Sequence, residues 1–226
     1  MIFKKKRINK QISRDYGSGN VLVWELDDGT KTYNPEIQGL EVRFSGKNNT
    51  CYVYGSKTIF TNSLIIFNGD DSTFSIDNQT QKVDPGFAIN NLVVFMNKGA
   101  NVKIGKNFTC GGCDIVADNR GADIEIGDDC MFSKEIVIRS TDGHTITENS
   151  KKINPGKPVR IGNHCWFGMR CAVLKGVTIP DNCIVSFGAV VLSSLSAQVG
   201  NIIAGVPAKV VKSGVNWTRD NYDDFQ

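Results

Sequence analysis

Between residues 159 and 192, apolar side chains return every six positions. Ile161, Phe167, Val173, Ile179, Val185 and Val191 mark the interval, and four residues after each of the first five stands a small or medium apolar side chain: Cys165, Cys171, Val177, Cys183 and Ala189. A period of six fits neither the period of about 3.6 of a helix nor the simple alternation of an isolated strand. It is the signature of a solenoid in which each hexad supplies a short flat strand and a turn, and three hexads close one coil. The lead residue is expected to point into the prism and the smaller one to fill its corner. Neighbouring coils are then expected to pair through parallel ladders about 4.8 Å apart.

The rhythm continues upstream with less regularity, through Ile104 and Phe108 and then Ile126, Cys130, Phe132 and Ile138. Before residue 100, β-rich stretches at 40–44, 51–54, 64–67 and 92–95 alternate with Gly, Asn and Asp and read as imperfect coils. The predicted organisation is a cap over residues 1–39, a β-helix of about eight coils over 40–203, and a closing segment and tail over 204–226 anchored by Trp217. A polar, turn-rich stretch from Arg139 to Pro158 interrupts the rhythm and is expected to protrude as a loop near 140–158. Loops on a rigid scaffold are where chemistry concentrates, and this one carries one of only two histidines.

Composition narrows the function classes. With 26 Lys+Arg against 23 Asp+Glu and 40% apolar residues, the chain of 226 residues carries no broad basic field for nucleic acid and no disorder signature. Its longest apolar runs are about five residues, far below the roughly 20 that span a bilayer. The basic start, Lys4 to Arg7, is followed by polar residues and not by an apolar segment, so no secretory signal is read and a cytoplasmic location is expected. The seven cysteines are odd in number, and Cys130, Cys165, Cys171 and Cys183 fall where the hexad needs a small apolar side chain. Two histidines cannot build a three-histidine metal site within one chain, and no metal is expected. Cys110 and Cys113 form a lone C-x-x-C without a second ligand pair or a strand-helix-strand context, and no role is assigned to them beyond lining a cleft.

Three segments together carry a resemblance to a known family. They are Val159-Arg160-Ile161-Gly162-Asn163-His164-Cys165-Trp166-Phe167-Gly168, then Leu174-Lys175-Gly176-Val177-Thr178-Ile179, and Ala204-Gly205-Val206-Pro207-Ala208-Lys209-Val210-Val211-Lys212. This half of the chain resembles the hexapeptide-repeat acetyltransferases. The triplet Asp142-Gly143-His144 with Trp166 downstream is most similar to the O-acetyltransferases of capsules, sialic acids and O-antigens. The resemblance implies an all-β, left-handed parallel β-helix, a homotrimer with active sites between subunits, acetyl-CoA as donor and a carbohydrate acceptor. Two other readings stand beside it: an N-acetyltransferase of a nucleotide-linked amino sugar, and a β-helix scaffold without catalysis. The glycine-rich strand-to-helix fingerprint that often accompanies the first is absent from the sequence.

Acetyl transfer to a sugar hydroxyl requires a base for a weakly acidic alcohol, and a neutral histidine with a pKa of about 6.5 suits that task. His144 is the candidate. Asp142 is expected either to hold its imidazole in one tautomer or simply to form a turn with Gly143. His164 falls in a hexad turn and reads as structural. Trp166 precedes an inward Phe167 and should project outward; the resemblance implies that it lines the acceptor cleft. The resemblance likewise implies an acceptor contact from Asp118, pantetheine contacts near Gly168 and Gly188, and phosphate contacts from Lys209 and Lys212, for which a solvated basic patch is the plainer reading.

Overall fold

The structure is a computed structural model that describes residues 18–77 and 88–220. The expected cap and tail therefore fall partly outside the described residues. Every regular element described is a strand, and the chain winds as a three-sided, left-handed parallel β-helix. No helix among the described residues is long and apolar enough to cross a membrane.

The first face stacks Val21–Glu25, Thr50–Tyr54, Thr73–Ile76, Asn101–Ile104, Ile124–Ile126, Val159–Ile161 and Thr178–Ile179 in parallel. The second stacks Phe60–Thr61, Ile89–Asn90, Thr109–Cys110, Met131–Phe132, Trp166–Phe167, Ile184–Val185 and Ile202–Gly205. The third stacks Leu40–Phe44, Ser63–Phe67, Leu92–Asn97, Cys113–Asp118, Ile136–Arg139, Ala172–Val173 and Val190–Val191. Residues 18, 36 and 54 places apart in a perfect hexad array share one column, and the late coils obey this: Ile161 pairs with Ile179, Phe167 with Val185 and Val173 with Val191.

Two expectations are corrected. The ladder begins at Val21–Glu25, inside the segment 1–39 assigned to a cap, because Val21 to Glu25 pair in register with Thr50 to Tyr54. The exposed strand Lys31–Tyr33 covers its outer edge in antiparallel fashion, so among the described residues a hairpin blunts the open end. Among the described residues the coils number about seven instead of about eight, because early coils use longer turns than the hexad needs.

The prism is filled by stacked inward columns. Phe132 and Phe167 lie 4.4 Å apart by ring centroid, and Phe108 meets Phe132 edge-on at 5.0 Å. Cys130, Cys165, Cys171 and Cys183 are all buried in the corners. At the corner leading to the second face, Asn107, Asp129, His164 and Asn182 each take a left-handed backbone with φ of 52° to 58°. Asx side chains knit that corner from coil to coil: Asp181 Oδ1 accepts from Asn163 N at 2.7 Å, and Asn163 Oδ1 accepts from Asp128 N at 2.8 Å. This is why glycine follows the lead aliphatic residue there. A Cβ on Gly162 would stand 2.2 Å from Asp181 Oδ1 and 2.6 Å from its backbone nitrogen.

Candidate active site

The third-face strand Ile136–Arg139 runs into Ser140 and Thr141, both buried, and the chain then leaves the prism at Asp142. It forms an exposed hairpin, Thr147–Glu148 against Lys151–Lys152, and returns through Asn154, Pro155 and Gly156. Lys157 N donates to Ser140 O at 2.9 Å, which closes the loop's base. The protrusion near 140–158 thus comes from a sequence too polar to fill a corner.

His144 is exposed at the loop's near end and lines an open cleft of about 390 Å³ with Asp118, Asn119, Thr141, Lys152 and Asn154. Two residues proposed from sequence, His144 and Asp118, therefore share one cleft. Asp142 behaves differently from the expected partner of the imidazole. Its carboxylate accepts from Lys175 Nζ and, at 2.8 Å, from Asn154 Nδ2; among the described residues no hydrogen bond joins it to the His144 ring. Those two donors, Lys175 first, hold its carboxyl below the usual carboxylate range. The physical reason is direction: the Asp142 side chain turns toward the next coil, where Lys175 follows the strand Ala172–Val173. Asp142 shapes the loop and does not orient the ring in this conformation.

Trp166 projects outward, 39% exposed, while Phe167 beside it is fully buried. It lines a second cleft, of about 220 Å³, with Asn90, Thr109, Cys110, Met131 and Lys134. This cleft has no lining residue in common with that of His144. The topology explains the separation: His144 leaves the prism at the corner between third and first faces, and Trp166 stands on the second face, opposite that corner.

Gly168 and Gly188 lie at the corner between second and third faces. Their N–H groups donate to Val185 O at 2.8 Å and to Met169 O at 2.9 Å, and Gly188 is left-handed with φ of 70°. Phe187, between them, is 61% exposed, with the Arg170 guanidinium 6.0 Å from its ring centre. Lys209 and Lys212 are exposed on the closing strand Ala208–Lys212. Cys110 and Cys113 are buried, and burial pushes the Cys110 thiol up to about 12 and raises Cys113 well above an ordinary thiol, so neither is a ready nucleophile.

Sequence reasoning overlooked Asn154 and the partnership of Lys175. The turn-forming run Asn154-Pro155-Gly156 and the Leu174-Lys175-Gly176 segment were visible, but which side chain each would meet depends on how the loop folds back.

Residues 158–193 match a family described as the hexapeptide repeat of succinyl-transferase. Over 179 residues the chain is 35% identical to the polysialic acid O-acetyltransferase of Neisseria meningitidis, an alignment that covers 78% of this chain and 79% of that one. The chain belongs to the hexapeptide-repeat O-acetyltransferases. The polysialic acid O-acetyltransferase of Escherichia coli O1:K1 / APEC is 30% identical over 129 residues, 56% of this chain, which spans only 41% of that relative's length. The crystal structure of the polySia specific acetyltransferase NeuO superposes with a TM-score of 0.76 at 26% identity, covering 94% of this chain and 84% of that one. That of the polysialic acid O-acetyltransferase OatWY, at 24% identity and a TM-score of 0.62, has the same fold over 92% of this chain and 91% of that one.

Proposed function

We propose that this hexapeptide-repeat O-acetyltransferase moves an acetyl group from acetyl-CoA to a hydroxyl of a surface-glycan sugar of sialic acid, capsule or O-antigen type, with His144 as general base. The observation that carries the reading is the exposed His144 in a cleft with Asp118, on a loop tied to a rigid prism, in a chain 35% identical to a polysialic acid O-acetyltransferase over 78% of its length. His144 takes the hydroxyl proton as the sugar oxygen attacks the thioester carbonyl. Collapse of the tetrahedral species expels the CoA thiolate, a tolerable leaving group because a thiol titrates at about 8.5, and the imidazolium returns the proton to it. Asp118, facing the same cleft, suits a hydrogen bond from a neighbouring sugar hydroxyl. Lys209 and Lys212 suit the donor's phosphates by charge, and the open space beside Gly188 suits the passage of the pantetheine arm, with Gly168 packed closely on the next coil. A CoA donor fits a cytoplasmic reaction.

The faces support a homotrimer. On the first face, outward positions in register read Lys103, Glu125, Arg160 and Thr178, with Arg160 and Glu125 paired at 3.4 Å. On the third face, Leu64, Val93, Val137, Ala172 and Val190 share an outward column with Asp114 among them and Glu41 at its early end, beside a column in which Ile66, Phe95 and Val116 lie between Arg43 and Arg139. An apolar sheet surface of this extent favours burial against another copy. Assembly would also let the Trp166 of one copy face the His144 of the next, which a single prism keeps apart.

The test is thiol release from acetyl-CoA with a panel of sialosides, hexoses and nucleotide-linked amino sugars, for wild type, His144→Ala, Trp166→Ala and a co-expressed mixture of the two variants. The expected result is turnover with a glycan acceptor, loss in each variant and partial recovery in the mixture. No turnover with any acceptor overturns the activity. Full turnover by His144→Ala overturns the mechanism, and a mixture no better than its parts overturns the shared site.

A further inference from the structure

A base on an exposed loop has a physical difficulty. Ordering each loop residue costs roughly 1–2 kcal/mol of backbone entropy, and proton transfer needs the imidazole held to within about 0.5 Å of its working position. The loop around His144 has little apolar burial to hold it: residues 142–152 are all exposed. Its own sheet is a pair of two-residue strands.

We infer that Asn154 is the positioning residue for His144, an inference that rests on the reading of His144 as the base. The Asn154 side-chain amide offers two N–H donors and one carbonyl acceptor, and all three groups are used. Nδ2 donates to Asp142 Oδ2 at 2.8 Å and to His144 O at 2.8 Å, and Oδ1 accepts from Ile146 N at 2.6 Å. One side chain thus holds residues 142, 144 and 146, bracketing His144 and fixing its own carbonyl. With that peptide fixed, the direction of the His144 Cα–Cβ bond is set, and only its two side-chain torsions stay free to meet the acceptor.

The tie reaches the prism. Asp142 also accepts from Lys175, whose side chain is largely covered on the following coil. The path runs from Lys175 to Asp142, to Asn154, to the backbone of His144. A residue that merely made the Asn154-Pro155-Gly156 turn would bond its own backbone about two residues on. Asn154 instead reaches back 8, 10 and 12 residues.

The test compares steady-state kinetics of wild type, Asn154→Ala, Asn154→Asp, His144→Ala and the double variant His144→Ala/Asn154→Ala on the intact protein, with thermal melting alongside. Loss of about 10²-fold in kcat, the scale of a misplacement near 1 Å, is expected for Asn154→Ala with KM for acetyl-CoA unchanged. Asn154→Asp keeps the acceptor for Ile146 N but loses both donors, so it should fall as far. In the His144→Ala background, Asn154→Ala should cost nothing more, since there is no imidazole left to place. Asn154→Ala with kcat within about twofold of wild type, while His144→Ala is inactive, overturns the inference and leaves the base reading intact. An equal loss from Asn154→Ala in both backgrounds overturns it too, since the effect would then not pass through His144. If His144→Ala is fully active, the base reading itself fails, and the inference with it.

Discussion

The imidazole of His164 lies stacked on the indole of Trp217, ring centroids 4.2 Å apart and planes 10° from parallel. The two residues also bond each other twice: Trp217 Nε1 donates to His164 O at 2.8 Å, and His164 Nε2 lies 2.9 Å from Trp217 O. Asp129 meets His164 Nδ1 at 2.6 Å and the Arg219 guanidinium at 3.0 Å, and Arg219 continues to Thr109 Oγ1 at 2.9 Å and Asn107 O at 3.1 Å. The tail is thereby strapped across the turns of three successive coils.

Trp217 is only 7% exposed, so its removal deletes both the stacking and the one buried aromatic anchor among the described residues of the tail. Trp217→Ala is expected to lower unfolding stability by about 3 kcal/mol, the low end for a buried aromatic, since the cavity opens to solvent. Urea denaturation at fixed protomer concentration measures this. His164→Ala should give a smaller loss. An unchanged midpoint for Trp217→Ala would show that the strap carries no stability.

Trp166 and Phe167 are neighbours with opposite assignments. Phe167→Ala empties a fully buried site against Phe132 and should cost about 3–5 kcal/mol. Trp166→Ala removes a side chain that stands in a cleft with its ring 6.1 Å from that of Trp217; it should cost about 1 kcal/mol, well below Phe167→Ala, while acceptor KM rises. Denaturation midpoints together with KM values separate the two. A Trp166→Ala protein as destabilised as Phe167→Ala would mean that Trp166 is packing and not recognition.

This inward and outward pair was legible from the sequence, because a hexad with one lead residue per strand fixes which neighbour faces the prism. The late coils, from Val159 to Val191, were legible for the same reason. The early ones were not: Val21–Glu25 belongs to the ladder, yet the long connection to Thr50 hides its period. His144 and Asp118 could be named from sequence, and they share a cleft because both sit where third-face strands end. The roles of Asn154, Lys175 and the tail strap depend on contacts across many residues, to which no local pattern points.

Buried thiols give a chemical readout of the same packing. All seven cysteines are unpaired and buried, and burial raises Cys51, Cys110 and Cys113 well above an ordinary thiol. Native protein should react slowly with Ellman's reagent at pH 8 and release seven equivalents once unfolded. Rapid reaction of even one thiol in the native state would contradict the burial of the seven cysteines.

The Asp142 carboxyl is held below its ordinary value by Lys175 and Asn154, so folding of the loop favours the ionised form. That contribution is complete above the ordinary carboxylate value of 3.8 and is lost as pH falls through the lower folded value. Hydrogen exchange of residues 142–156, corrected for the intrinsic rate, should therefore be flat from about pH 5 upward and lose protection only under strong acid. Lys175→Met should move that loss to higher pH. Identical acid limbs in the two proteins would show that Lys175 does not anchor the loop.

The apolar outward column of the third face supplies the last prediction. Val137 sits in that column between Asp114 and Ala172, points away from the core and is half-buried. A charge there leaves the inward columns untouched, so Val137→Lys should fold; against another copy the lysine would be desolvated beside Asp114, and a buried ion pair is worth about 1–4 kcal/mol less than the apolar packing it replaces. Thr178→Lys, in the charged column of the first face, is the matched control. Sedimentation should find wild type and Thr178→Lys as trimers and Val137→Lys as monomers. If Trp166 and His144 act only across copies, the monomer must also lose turnover while keeping the melting behaviour of a folded prism. A monomeric Val137→Lys protein with full turnover would place the whole site within one chain, and a trimeric one would move the interface to another face.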